Sequence, residues 1–495
     1  MARPTPPPLL SKTRFMAGMQ CHKRLWLELF RPELAAEVDA ATQYRFDQGT
    51  LVGELARGYA PGGTLVAESR EELAAALRRT QALLADRTVP AIYEATVSHD
   101  GALIRADILR RVRGGAYELL EVKSSTRTKP EHLWDVAVQA HVLRGAGVAL
   151  RRVGLLHIDT GYVYPGGAHD PQGLFALADL TAEVERALPE VPGLLAAMRE
   201  ALQGSAPPPI APGDQCHAPY ECPFTARCIP LAPPHSVAEF YGGRAGLRQR
   251  LAADGITMIA EVPEDYRLSA VQQRQREAVV TGRAYEDAGL RSGLAGLGRP
   301  LYFLDFETFN PAVPLYPGTR PYQHVPFQWS LHRLGADGAL THAEYLHDGP
   351  DDPRPPLTEA LIRALGDEGP ICVYSSFEKS RLGELQATLP QHAGALGRIV
   401  ERLVDLLPLV RNHTYHPGFH GSFSLKDVLP ALVPGMGYEG LEITDGSSAS
   451  LAYWNLATGT VTDAERSQVR QDLLDYCGRD TEGLVCLYRR LLESM

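Results

Sequence analysis

Ala102-Leu-Ile-Arg-Ala-Asp107-Ile-Leu-Arg-Arg-Val-Arg113-Gly114-Gly115-Ala-Tyr117-Glu-Leu-Leu-Glu121-Val-Lys123 reads as two β-strands around a glycine turn. One arm is Ala102–Arg113 and the other Tyr117–Lys123. Glu121 and Lys123 are two residues apart, so their side chains share a face of the strand. Whether Asp107 joins them depends on register. A two-residue Gly114-Gly115 loop pairs Asp107 with Val122, on the wrong face. A three-residue turn or a bulge pairs it with Glu121 or Lys123. The chemistry requires the odd turn. A helix over about 130–145 follows and carries Gln139.

Two carboxylates of this kind fix Mg²⁺ or Mn²⁺ through oxygen. The ion lowers the pKa of a water and offsets charge on a phosphate in the transition state, and the lysine orients that water. Glu-x-Lys by itself is common. Asp, hairpin turn, Glu-x-Lys and then a helix with Gln is far more specific.

Four of the seven cysteines frame this hairpin. Cys21 stands near the N-terminus, and Cys216, Cys222 and Cys228 follow at five-residue gaps. Four thiolates hold a 4Fe-4S cluster or a zinc ion. The wide Cys-x5-Cys spacing favours the cluster over zinc, whose usual knuckle gap is two to four residues. A first ligand so far from the rest would clip the two ends of one domain together.

Residues 11–235 resemble the RecB-type PD-(D/E)xK nucleases that carry an iron–sulfur cluster, among them CRISPR-associated and AddAB-type enzymes. The resemblance implies that Asp107, Glu121 and Lys123 are catalytic with Gln139 in support, and that Cys21, Cys216, Cys222 and Cys228 ligate the cluster. Two positions depart from the family pattern. Glu54 stands where a metal-binding histidine is common, which makes it a candidate oxygen ligand. The Gln-x3-Tyr pattern reads Gln139-x3-Leu143. Glu94, ahead of the hairpin, is a candidate supporting group.

A second acidic set lies further along. The strand Leu301–Glu307 presents Asp305 and Glu307 two apart, on one face. Burying such a pair is costly unless a cation joins it. Ile371–Glu378 reads as a strand running into a helix, Leu403–Leu406 as a short strand carrying Asp405, and 463–493 as a long helix. Along that last helix Leu473, Cys477, Leu484, Leu487 and Leu491 form an apolar stripe, and Asp480 falls within it, four residues after Tyr476. These residues resemble the DEDD superfamily of 3′–5′ exonucleases, which have an RNase H-like fold. Asp305-x-Glu307 matches the first motif, Phe377-Glu378 the second with Glu in place of the usual Asp, and Tyr476-x3-Asp480 the third. The resemblance implies metal ligation by Asp305, Glu307, Glu378 and Asp480, with Asp405 as an alternative to Glu378, and water orientation by Tyr476.

Proline-rich stretches at 4–8, 205–213 and 230–234 punctuate the chain. They place a boundary near residue 235, and the two resemblances imply an α/β protein with a restriction-endonuclease-like nuclease domain over 1–235, a helical connecting segment over 236–297 and an RNase H-like domain over 298–495. In the connecting segment Leu247 and Leu251 mark one helix, 254–257 a turn and 268–282 a Gln/Arg-rich helix. The aromatic run 322–329 reads as strand core, with a base-stacking surface as the alternative. As a whole the chain resembles an uncharacterised bacterial family fusing the two nuclease types.

The 495 residues are 44% hydrophobic and 22% charged with a net charge of −10, which excludes a generic basic nucleic-acid coat but not an enzyme with local basic residues. No apolar run approaches the roughly 18 residues that span a bilayer, and the N-terminus lacks a signal-peptide apolar core. The expectation is a cytoplasmic, metal-dependent DNA nuclease with two active sites, acting in repair, recombination or defence. No phosphate-binding Gly-x4-Gly-Lys-Ser/Thr loop is present, so a helicase or recombination partner would be separate. A DNA-end-binding subunit with an inactive site and an RNA-processing exonuclease are the alternative readings.

Overall fold

Alternating burial along the strands sets the core of each half of the chain. The computed structural model describes residues 9–243 and 245–493. The proline-rich tail 4–8 lies outside them. The chain divides into two units. The first takes in the chain up to Leu231 together with Pro311–Gln323; the second holds Ala232–Asn310 and His324 onward.

The first unit is built on a mixed sheet of β1 (Leu10–Ser11), β2 (Thr64–Leu65), β3 (Ala91–His99), β4 (Ala102–Arg111), β5 (Tyr117–Lys123), β6 (Leu150–Ile158) and β7 (Phe175–Asp179). Its order is β2-β3-β4-β5-β6-β7. β3, β4 and β5 run antiparallel, β5 and β6 parallel, and β1 lies beside the first residues of β4, where β5 does not reach. Leu109 and Leu119 face one way, into a core shared with Val136, Ala137 and Ala140 of the helix Pro130–Gly145. Ile108 and Leu120 face the other way, against Val52 and Ala56 of the helix Ala40–Ala56.

The hairpin has an odd-length turn. Val112 N–H donates to the Ala116 carbonyl at 2.8 Å, leaving Arg113, Gly114 and Gly115 as the loop. Both glycines have positive φ, 86° and 79°, which a side chain would resist. Ile108 pairs with Leu120 and Leu109 with Leu119. One step further, Asp107 stands opposite Glu121, on the face covered by the helix Pro130–Gly145.

Residues 311–323 pack as part of this unit. The Ala312 amide donates to Gln48 Oε1 at 3.0 Å, the Tyr164 amide to the Thr319 carbonyl at 2.9 Å, and the Tyr322 hydroxyl to the Ser124 carbonyl.

The second unit has a two-stranded ribbon, β8 (Tyr285–Glu286) with β14 (Thr414–Tyr415), and a five-stranded mixed sheet. Its strands are β9 (Leu301–Phe309), β10 (Val325–Leu334), β11 (Leu340–Leu346), β12 (Ile371–Val373) and β13 (Leu403–Asp405), in the order β11-β10-β9-β12-β13. β11, β10 and β9 alternate in direction, while β9, β12 and β13 are parallel. Tyr302, Leu304 and Phe306 face one core; Leu301 and Phe303 face another, with Leu484, Leu487 and Leu491 of the helix Asp463–Glu493. Asp305 and Glu307 therefore point toward that long helix. Its stripe Leu473, Cys477, Leu484, Leu487 and Leu491 is buried, and so is Asp480.

Residues 236–297, read from the sequence as a connecting segment, fall within the second unit. They carry helices Ala245–Ala253, Ala270–Thr281 and Ala288–Leu294, and Ala278, Leu290 and Leu294 enter the second unit's core. Ser269 and Gln272 form a capping box at the start of the middle helix, and Gly282 closes it with φ 65°. Val325, Phe327 and Trp329 of the aromatic run are buried in β10. Among the described residues no helix is long and apolar enough to cross a membrane.

Candidate functional site

In the first unit Glu121 is the hub. It is 1% exposed. Lys123 Nζ donates to its Oε1 at 2.8 Å, and Lys12 Nζ to the same oxygen at 2.7 Å. Gln139 Nε2 donates to its Oε2 at 2.7 Å. Burial pushes the Glu121 carboxyl up, but the two lysines outweigh burial and hold it well below its ordinary value. Asp107 accepts the Val122 amide at 2.7 Å. Burial first, then the neighbouring Glu121 charge, raises its pKa to about 7.

The four residues expected from the sequence are thus brought together, with two more that sequence reasoning missed. Lys12, the first residue of the helix Lys12–Gln20, carries no local signal of its role. Asp135 does: it lies four residues before Gln139 on one helix face. Its carboxylate meets Lys123 Nζ at 2.5 Å and Lys12 Nζ at 3.6 Å. Glu94 lies on β3, in register with Asp107 between the pairs Tyr93–Ile108 and Ala95–Ala106, and has φ 57°. A glutamate held there is strained, a feature that concentrates at functional positions. Burial raises its pKa. Glu54 is exposed on the helix Ala40–Ala56.

The distant cysteines converge. Cys21, Cys216, Cys222 and Cys228 line one small cavity with Leu27 and Phe224. Cys21 separates the helices Lys12–Gln20 and His22–Phe30. Gln20 ties that corner to the late loop, its Nε2 donating to the Gln215 and Tyr220 carbonyls, each at 2.7 Å. Burial pushes the Cys222 thiol up, with Cys216 and Cys21 adding to the effect.

In the second unit the carboxylates gather on β9. Asp305 and Glu307 lie beside Glu378 at the start of the helix Phe377–Thr388 and Asp480 of the helix Asp463–Glu493. Burial and mutual repulsion raise Asp305 and Glu307 well above the carboxylate range. Burial raises Glu378 to about 7 and Asp480 to about 6. Glu378 is 3% exposed, and its Oε2 has no hydrogen-bond donor among the described residues. Ligand atoms of Asp305, Glu307 and Cys477 lie within 4.8 Å of one another. Asp405, the alternative to Glu378, accepts the Leu407 amide at 2.9 Å and caps the helix Leu406–His413, and its charge helps to raise Glu378.

Residues 302–424, which include Asp305, Glu307, Glu378 and Asp405, match the model of a family described as "Domain of unknown function (DUF2779)". No curated protein matches the chain. Among solved structures, a chain titled "Crystal structure of SSO0001" is similar at 16% identity over 44% of this chain and 84% of its own, with a TM-score of 0.21, too loose to fix a fold.

Tyr476, 4% exposed, has its pKa raised by burial and then by Glu307 and Asp480, so its hydroxyl keeps its proton. Two further groups meet it. The Tyr438 hydroxyl donates to Asp480 Oδ1, and Lys426 Nζ lies 5.4 Å and 5.2 Å from the Tyr438 and Tyr476 ring centroids. Neither Tyr438 nor Lys426 stands at a motif spacing. Cys477 was legible only as a member of the apolar stripe, yet its Sγ lies 3.8 Å from Asp305 Oδ2.

Proposed function

We propose that the chain is a metal-dependent nuclease that hydrolyses phosphodiester bonds of DNA at two sites and acts in repair, recombination or defence. The observation that carries the reading is the register of an odd-length hairpin, Ile108 opposite Leu120, which puts Asp107 and Glu121 on one face, with Lys123 and Gln139 both on Glu121. On this reading the first unit is a PD-(D/E)xK nuclease of the restriction-endonuclease-like class. The second is an RNase H-like, DEDD-type domain, supported by a mixed five-stranded sheet whose central strand bears the acidic pair.

Asp107 and Glu121 would hold Mg²⁺ or Mn²⁺ in the first site, and Asp305, Glu307, Glu378 and Asp480 would do so in the second. The donor sets fit: all are hard oxygens, and the second set is a repelling group of buried acids with an orphaned oxygen on Glu378. Bound there, a dication lowers the pKa of a water and offsets charge on the phosphate. The chain's own groups do the rest. Lys123 stays protonated and orients the attacking water, while Gln139 and Lys12 fix the Glu121 carboxylate. In the second site the neutral Tyr476 hydroxyl offers a donor to the water.

The test is cleavage of end-labelled single-stranded DNA, double-stranded DNA and RNA by the full chain with Mn²⁺. Shortened DNA products are expected. RNA products alone would move the reading to RNA processing, and no products from any substrate would favour an end-binding subunit.

We infer that the four cysteines hold an iron–sulfur cluster rather than zinc, as the wide Cys-x5-Cys spacing favours. All four line one small cavity. Anaerobically purified protein should be brown, with about four irons per chain. Cys222→Ser should lose both colour and iron and melt at a lower temperature, because ligand binding is coupled to folding of a domain clipped at its ends. Stoichiometric zinc without iron would overturn the cluster.

A further inference from the structure

A third group of ligands lies in the second unit, apart from both acidic sites. His235, Glu239 and His420 place ligand atoms within 4.8 Å of one another. Glu239 Oε2 is the shared centre, 3.3 Å from His420 Nδ1 and 3.7 Å from His235 Nδ1. Only one of the two contacts is a hydrogen bond. The first contact is long for a nitrogen–oxygen bond, whose usual length is about 2.9–3.0 Å, and the second is beyond one. His235 Nδ1 is buried with no hydrogen-bond partner among the described residues. A tetrahedral ion with nitrogen and oxygen ligands at about 2.0–2.1 Å separates its donors by about 3.3–3.4 Å. The two observed separations match that edge to within a few tenths of an ångström.

The backbone is built to bring the three together. His235 and His420 both have positive φ, 63° and 47°, a costly conformation for histidine. Gly421 packs so closely on the Glu239 carbonyl that a Cβ would lie 1.7 Å from that oxygen. The Gly421 amide is pinned by the Tyr415 hydroxyl at 2.8 Å. The imidazole rings lie nearly parallel, 10° apart, with centroids separated by 5.3 Å. Glu239 and His420 also line an open cleft of about 490 Å³ with Arg248, Gly242 and Gly243.

We propose that His235, Glu239 and His420 bind a divalent transition-metal ion, Zn²⁺ by ligand chemistry, with its fourth position open to the cleft for water or a ligand oxygen. Two imidazoles and one carboxylate suit such an ion better than Mg²⁺, which prefers oxygen donors. The proposal is independent of the nuclease reading, since none of its residues belongs to either acidic set or to the cysteines.

The full-length protein is titrated with Co²⁺ as a spectroscopic stand-in, alongside His420→Asn, His235→Asn and Glu239→Gln. Asparagine tolerates the left-handed backbone that both histidines occupy. Wild type should take up one more equivalent than each histidine variant, with visible bands of a nitrogen- and oxygen-ligated ion and without the sulfur-to-metal bands a cysteine site would add. Competition should then give Zn²⁺ binding weaker by on the order of a hundredfold in the histidine variants. Circular dichroism checks that the variants fold; if the asparagine variants do not, Glu239→Gln, which keeps the side-chain size, decides. Equal Co²⁺ uptake and equal Zn²⁺ affinity in wild type and every folded variant would overturn the site.

Discussion

Lys123→Ala is expected to lower cleavage by the first site about a hundredfold to a thousandfold, the cost of removing one preorganised charge from a transition state. Products that depend on Asp305 should persist. The loss should reflect chemistry rather than unfolding, and Lys12 is the reason. In the variant Glu121 keeps Lys12 at 2.7 Å and Gln139 at 2.7 Å, and Asp135 keeps Lys12 at 3.6 Å. No buried charge is left alone. Removing Lys12 and Lys123 together is different, because Glu121 is then buried beside Asp107 and Asp135 with no cation. Breaking a buried pair in this way costs about 3–5 kcal/mol. Urea melts of the single and double variants, read beside gel-resolved cleavage, separate the two effects. A Lys123→Ala protein as unstable as the double variant, or one that retains full cleavage, would remove Lys123 from the catalytic role.

Much of this site is legible in the sequence, and the reason is periodicity. Glu121 and Lys123 share a face because a strand alternates, and the Asp107 face follows from the parity of the turn. The helix carrying Gln139 and the long helix carrying Tyr476 and Asp480 were legible because motif spacing and apolar stripe agree. What escaped is what long-range packing decides. Lys12 reaches Glu121 across 109 positions, and Tyr438 reaches Asp480 across 42, with no pattern linking either pair. Glu54 was placed by analogy with a family histidine, but its helix turns that position outward while Gln48, Val52 and Ala56 are buried. The second boundary escaped for a similar reason. Residues 311–323 leave β9 and return to β10, yet their amides and side chains bond to Gln48, Ser124 and Tyr164 of the first unit. Sequence continuity assigned them to the second half.

Asp305→Asn is expected to be inactive at the second site and, without divalent cations at pH 8, more stable than wild type. The sign follows from the raised acids. Glu378 moves from an ordinary 4.5 to about 7, Asp480 from 3.8 to about 6, and Asp305 and Glu307 move up as well. Between about pH 4 and pH 7 the folded protein holds protons that the unfolded chain has released, so stability falls as pH rises through that window. For Glu378 and Asp480 the penalty is absent below this window and full above it, on the order of 3 kcal/mol for Glu378 at 1.4 kcal/mol per unit. Asn at 305 removes an acid whose ionisation burial, Asp480, Glu378 and Glu307 all oppose, so the variant should lose part of that pH dependence. Mn²⁺ should reverse the ranking. It would stabilise wild type at pH 8 by mass action, and the variant, short of a ligand, much less. Cleavage should fall about a thousandfold, the value of several kcal/mol of lost charge stabilisation. Thermal melts of both proteins at pH 5 and pH 8, with and without Mn²⁺, give the whole pattern. Wild type that is as stable at pH 8 as at pH 5 without metal, or that gains nothing from Mn²⁺, would mean that the buried acids are held by something other than a missing cation.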